Sequence, residues 1–264
     1  MSEKTGSQRY DTSKPNIGRM ADYLLGGFHN FEVDRVTADQ FNELSQGMYQ
    51  QSIRSQRAFL QRSMAFMAEE QGLTHFLDFG SGSPTAGNVH DVVQAIHPEA
   101  KVVYSDTDAV SVAYGQELLH DNSRVSYVYC DVNHPEELFN SPEVTALFDG
   151  ERRVGIGFVG VVFFVSPENL GRVMHFMYDW AAPGSYLAMT AILDTVREVP
   201  GGADFDFKAN GWKYLYSKED LRRLLAPWQL TEPGMAPGVS WGLQDYQGNP
   251  AADKGVTSLV VYKP

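Results

Sequence analysis

The segment Phe76-Leu-Asp-Phe-Gly-Ser-Gly-Ser-Pro84 constrains this chain more than any other. An apolar run carrying one acid, Asp78, meets Gly80 and Gly82, and Val89, Val92, Val93 and Ile96 then share one helical face. Glycine lets the backbone turn sharply and approach a ligand with no Cβ in the way, and the carboxyl end of a strand in a doubly wound sheet opens onto the binding crevice. The segment therefore reads as the strand, turn and helix of a parallel α/β fold that holds a nucleoside-type ligand, with Ser81 inside the turn and Asp78 placed to hold the ligand's amino group.

The rest of the chain extends that pattern. Strands are expected at Lys101–Ser105, Val125–Cys130, about 154–164 and Ser185–Ile192, alternating with helices near 109–120, 135–140 and 168–181. Ser166 and Pro167 supply the cap and first position of the last of these helices, and Ser217-Lys-Glu-Asp220 reads as a capping box opening another. Ser258–Tyr262 reads as a late strand, and 194–215 and 233–256 as irregular stretches. Before the first strand, Asn16–Leu25 and about Tyr49–Gln71 carry apolar residues at helical spacing and end at Gly26–Gly27 and Gly72. Residues 1–15 are expected to form a flexible arm, and residues 1–71 an arm and helical cap within the same domain as the α/β fold of 72–264.

Two further strand ends carry acids. Asp106 stands 26 residues after Gly80, near the spacing at which an acid accepts from ribose hydroxyls, with Thr107 beside it. Asp131 follows the third strand, placed to accept from an adenine amino group while the Val132 amide meets a ring nitrogen. An Asp after a strand is commonly a turn former or helix cap, so the weight lies on the combination of three. A dinucleotide fingerprint G-x-G-x-x-G would need glycine where Thr85 stands, and Pro84 precedes it, which argues against a nicotinamide ligand.

Composition narrows the partners. With 43% hydrophobic and 20% charged residues, 264 residues suit one globular domain with a full core. Basic residues number 21 against 33 acidic, a net charge of -12, and no Lys/Arg run offers itself to a phosphate backbone, so no nucleic-acid substrate is expected. Cys130 stands alone, and MSEKTGSQRYDTSKP has no apolar stretch of the signal-peptide kind, so a cytoplasmic location is expected. The longest apolar stretch, 154–165, is short of the roughly 20 residues of a membrane span, and no membrane association is expected.

The chain resembles the S-adenosylmethionine-dependent methyltransferases, most closely an actinobacterial branch formerly described as a domain of unknown function. The resemblance rests on Pro15-Asn-Ile-Gly-Arg-Met-Ala-Asp22-Tyr-Leu-Leu-Gly-Gly27, Asn30-Phe31 with Asp34-Arg35, Phe76–Gly82 with Pro84-Thr-Ala-Gly-Asn88, and Val102–Asp108. It implies a Rossmann-like class I methyltransferase fold: a seven-stranded, mostly parallel sheet in the order 3-2-1-4-5-7-6, strand seven antiparallel, with helices on both faces. It further implies S-adenosylmethionine as cofactor, with Asp78, Gly80, Gly82, Asp106 and Asp131 in the crevice. The third glycine of the general G-x-G-x-G loop is replaced here by Pro84.

Methyl transfer from a sulfonium is an in-line displacement that asks mainly for alignment and exclusion of water. No catalytic residue is assigned and no metal is expected. His29, His134 and Asp194 are candidates for a base, and Tyr23, Phe28, Phe31, Phe163 and Phe164 for aromatic faces near a cation. Arg19, Arg35 and Arg57 are candidates for the methionine carboxylate. Gly26–Phe31 reads either as a helix cap and loop or as a lid over the cofactor, His175 as a surface residue, and Cys130 as a buried strand residue. The acceptor is expected to be a small molecule, with a nicotinamide-dependent oxidoreductase and a non-catalytic S-adenosylmethionine binder as the alternatives.

Overall fold

A computed structural model describes residues 12–84, 87–199, 212–248 and 253–264. The arm 1–11, Thr85 and Ala86 of the glycine-loop motif, and parts of both irregular stretches lie outside the described residues.

Eight strands form one sheet: β1 (His75–Phe79), β2 (Lys101–Asp106), β3 (Val125–Tyr129), β4 (Gly155–Phe158), β5 (Tyr186–Ile192), β6 (Gln229–Leu230), β7 (Ala236–Pro237) and β8 (Val256–Tyr262). Their order is β3-β2-β1-β4-β5-β8-β6, with β7 also pairing to β8. Pairings among the first five strands are parallel and every pairing to β8 is antiparallel. With β8 standing for strand seven, this is the expected order, and the two-residue β7 is an addition.

Alternation along each strand sorts its side chains to opposite faces. Phe76, Val102, Tyr104, Val125 and Tyr127 pack with residues of α3 (Met48–Glu69), α4 (Val89–Ile96) and α5 (Ala109–Leu118). Leu77, Phe79, Val103, Ile156 and Leu187 face α6 (Pro135–Phe139), α7 (Pro142–Phe148), α8 (Pro167–Trp180) and α9 (Lys218–Leu225). The caps follow the sequence: Ser166 Oγ accepts from the Asn169 amide at 3.2 Å, and Ser217 Oγ from the Asp220 amide at 2.9 Å.

Three local expectations are corrected. The strand read over 154–164 ends at Phe158, because Gly160, at φ +74°, turns the chain and Val162–Phe164 forms a 3-10 turn. Those residues are apolar because the turn is buried, with Val162 fully enclosed. The helix α7 was not foreseen, although Ser141 caps it and Pro142 opens it. Nor was α2 (Glu32–Leu44), whose buried residues are Asp34 and Ala38 and so leave no apolar stripe to read. With α1 (Ile17–Leu24), α2 and α3 make up the N-terminal cap, where Met20, Leu24, Ala38 and Tyr49 form a small core of their own.

Candidate functional site

The glycine turn after β1 is held from three sides. Gly80 and Gly82 sit at φ +63° and +65°, a region that side-chain-bearing residues seldom adopt. A Cβ on Gly80 would stand 2.2 Å from Val161 Cγ1, so the β4 turn closes against it. The Ser81 amide donates to the Ser105 carbonyl at 3.0 Å, and its hydroxyl to the Asp78 carbonyl at 2.9 Å. From below, the Tyr127 hydroxyl donates to the Gly82 carbonyl at 2.6 Å, and Tyr127 stacks on Tyr104 with ring centroids 5.7 Å apart.

Asp106 joins this turn directly. Its Oδ2 accepts from the Gly82 amide at 2.9 Å and its Oδ1 from the Asp108 amide at 2.8 Å. Each carboxylate oxygen has a further lone pair for a ligand hydroxyl. Burial raises the Asp106 carboxyl above its ordinary pKa, and the amides of Asp108 and Gly82 oppose that rise. Asp78 is buried, and burial raises its carboxyl to about 7 against hydrogen bonding by Ser81 and the nearby charge of Arg57. Among the described residues no cation stands in ion-pair contact with it. A buried acid without its own counter-ion suits a ligand that brings an ammonium.

Asp78, Gly80, Ser81, Gly82, Asp106 and the exposed Thr107 are thus one neighbourhood. Asp131 follows the adjacent strand end, where the Cys130 amide donates to the Asp106 carbonyl at 3.1 Å. Its Oδ1 accepts from the Asn133 amide at 2.8 Å and from Asn133 Nδ2 at 2.9 Å, the turn-forming habit weighed for any acid after a strand. Val132 is buried among the core residues that face α6 to α9. Cys130 is buried as read, its thiol pushed up to about 12 by that burial. His175 is exposed on α8.

The cap meets this neighbourhood through Gly18 and Arg19 of α1. A Cβ on Gly18 would stand 3.3 Å from the Gly82 Cα, so α1 lies directly on the glycine turn. Arg19, only 2% exposed, donates through Nε to Asp34 Oδ2 at 2.9 Å, through Nη1 to Asp108 Oδ1 at 2.8 Å and through Nη2 to the Lys14 carbonyl at 2.8 Å. Asp34 also accepts from the amides of Asn16 and Phe31, both at 2.9 Å. Arg19 is therefore a structural cation and not a carboxylate ligand. Arg35 is exposed and donates to Asn30 Oδ1 at 3.0 Å. Asp22, also buried, accepts from the His29 amide and from Asn30 Nδ2, each at 2.8 Å, and so shapes Gly26–Phe31 as a fastened turn. The signal for Asp22, Asp34 and Asp108 was their presence in the quoted motifs; what pairs with them is a long-range matter that spacing does not encode.

Of the candidate bases, His29 lies by the turn, its backbone carbonyl accepting from Ser83 Oγ at 3.3 Å and its buried Nδ1 lacking a hydrogen-bond partner among the described residues. His134 and Asp194 are exposed. Phe28 is 91% exposed, whereas Phe163 packs on Phe164 and Trp212. Among the described residues no cluster suits a metal ion, and no helix is long and apolar enough to cross a membrane.

Residues 3–261 match the family model of the S-adenosyl methyltransferases. The structure is similar to that of a candidate methyltransferase from Thermobifida fusca YX, at 34% identity over 96% of each chain with a TM-score of 0.86. It is equally similar to a DUF574 family protein from Streptomyces avermitilis MA-4680, at 27% identity, 97% and 100% coverage and a TM-score of 0.86. The magnesium protoporphyrin IX methyltransferase ChlM of Synechocystis PCC 6803, with S-adenosylhomocysteine bound, shares the fold at 15% identity, with 81% and 87% coverage and a TM-score of 0.51. Curated protein sequences provide no match.

Proposed function

The chain belongs to the S-adenosyl methyltransferase family, and we propose that it methylates a small-molecule acceptor in the cytoplasm, using Asp78, Gly80, Ser81, Gly82, Asp106, Thr107, Asp131 and Val132 to hold the cofactor. It is an S-adenosylmethionine-dependent methyltransferase.

The observation that carries the residue assignment is the hydrogen bond from the Gly82 amide to Asp106 Oδ2, which makes the turn after β1 and the acid after β2 one rigid unit. Bound S-adenosylmethionine would supply a sulfonium methyl group ready for in-line displacement. Asp106 would accept from the ribose hydroxyls with its unused lone pairs, and Asp78, with no counter-ion among the described residues, would face the ammonium of the methionine tail. Gly80 and Gly82 keep the path of that tail free of side chains. Asp131 Oδ2, which takes no part in the Asn133 turn, would accept from the adenine amino group beside the Val132 amide. Residues 1–71 act as a cap on the same domain, with α1 against Gly82 to exclude water from the reacting atoms. The net charge of -12 and the absence of a Lys/Arg run support a small metabolite over nucleic acid.

Calorimetric titration with S-adenosylhomocysteine and, separately, with NAD tests the reading. Saturable 1:1 binding of the first and none of the second is expected; the reverse would place the protein among the oxidoreductases.

A further inference from the structure

Resting on the cofactor reading above, we infer that Arg57 binds the carboxylate of the cofactor's methionine tail, beside Asp78 at its ammonium.

Three arginines were candidates, and two are committed elsewhere: Arg19 to Asp34, Asp108 and the Lys14 carbonyl, Arg35 to Asn30. Arg57 makes no hydrogen bond or ion pair with any described residue. It is half-buried, so its charge is partly withdrawn from water without a partner among those residues. A guanidinium in that position favours an anion it can bind bidentately.

Its place on α3 points to which anion. Residues three and four apart on a helix are neighbours, so Arg57 shares a face with Leu60 and Gln61. Gln61 Nε2 donates to the Gly87 carbonyl at 3.0 Å, beyond the glycine turn, and Leu60 Cδ1 lies 3.2 Å from a Cβ built on Gly157 of β4. Gln56, the preceding residue, accepts from Thr190 Oγ1 at 3.1 Å, and Thr190 Oγ1 accepts from the Gly160 amide at 2.9 Å. This part of α3 thus spans from the turn after β1 to the turn after β4, and helical side chains lean toward the N-terminus of their helix. Arg57 therefore stands on the α3 side of the sheet beside the glycine turn, and Asp78 projects from β1 to that same side, 2.2 Å from the Cβ on Gly157 that Leu60 also approaches. A cation and a buried acid facing one space beside a side-chain-free turn match a zwitterionic α-amino acid, whose carboxylate and ammonium sit on one carbon. The charge of Arg57 is also felt at Asp78 and Tyr104, where it opposes the effect of burial.

The test is calorimetry on wild type, Arg57→Ala and Arg57→Lys with two ligands, S-adenosylmethionine and its decarboxylated analogue, which keeps the ammonium and loses only the carboxylate. Wild type is expected to prefer the carboxylated ligand by about tenfold or more, the range of a charge-assisted contact. Arg57→Ala should bind both within about twofold of each other and hold the analogue as wild type does, and Arg57→Lys should recover part of the preference. Equal weakening of both ligands in Arg57→Ala, or an undiminished preference, overturns the assignment. If wild type binds neither ligand, the cofactor reading itself falls and the role of Arg57 with it.

Discussion

The backbone amide of Gly82 donates to the Asp106 carboxylate at 2.9 Å, so the turn after β1 and the acid after β2 are a single hydrogen-bonded object. Asp106 also accepts from the Asp108 amide, and Asp108 in turn holds Arg19 of the cap. Ligand site and cap meet in that chain of contacts.

Asp106→Ala removes an acceptor from two backbone amides and, on the proposed assignment, from two ribose hydroxyls. A buried hydrogen bond to a charged group contributes about 1.5–3 kcal/mol. The variant should keep its far-UV circular dichroism and lose on the order of tenfold to a hundredfold in affinity for S-adenosylhomocysteine by calorimetry. Undiminished affinity would refute the ribose role.

Asp78 gives a pH signature. Its carboxyl titrates at about 7, raised chiefly by burial, whereas an unfolded Asp titrates at about 4. The group is at ease when protonated, so its favourable contribution to stability is complete below about pH 4 and is lost as pH rises through about 7. Asp78→Asn should therefore flatten that loss and stabilise the ligand-free protein at pH 8, by up to about 4 kcal/mol in urea unfolding. Cofactor affinity should move the other way in wild type, rising as pH passes through about 7 because the ionised form meets the ammonium. An affinity that does not vary between pH 6 and 8 would remove Asp78 from the ammonium.

Tyr127 supports the turn from below, and Gly115 of α5 makes room for it: a Cβ there would stand 2.1 Å from the Tyr127 ring. Tyr127→Phe should cost about 1 kcal/mol of stability and loosen the turn. Gly115→Ala, whose new methyl group would press on that ring, should cost about 1–3 kcal/mol through overpacking and weaken cofactor binding with it. Equilibrium unfolding and calorimetry read both effects, and a Gly115→Ala variant with wild-type affinity would show that the turn does not depend on Tyr127.

Arg19→Ala leaves Asp34 buried without its cation, a loss on the order of 3–5 kcal/mol. The sheet should persist by circular dichroism while the cap loosens, and a variant lacking residues 1–35 should lose turnover more than it loses the sheet. Full activity in that truncated protein would show that the cap is dispensable.

The alternation of strands and helices and the glycine turn were legible because both are written locally, in hydropathic period, in the run Phe76–Gly82 and in caps such as Ser166 and Ser217, whereas the sheet order followed from the family resemblance. The cap was legible only in part. Helix α2 buries Asp34 and Ala38, and a helix that docks through a salt bridge instead of an apolar stripe has no hydropathic period. Arg19 could not be told apart from the other candidate arginines, because its partners lie 15 and 89 residues away and chain spacing says nothing of such meetings. The 154–165 run was overextended because burial and strand pairing produce the same composition, and Gly160 alone marked the turn.

A crystal structure of the complex with S-adenosylhomocysteine bears most directly on the site. Asp106 should lie within hydrogen-bond distance of the ribose hydroxyls, with Asp131 at the adenine amino group and the amino-acid tail along Gly80–Gly82 between Asp78 and Arg57. An adenosyl group bound away from the ends of β1, β2 and β3, or those carboxylates turned from it, would contradict the assignment.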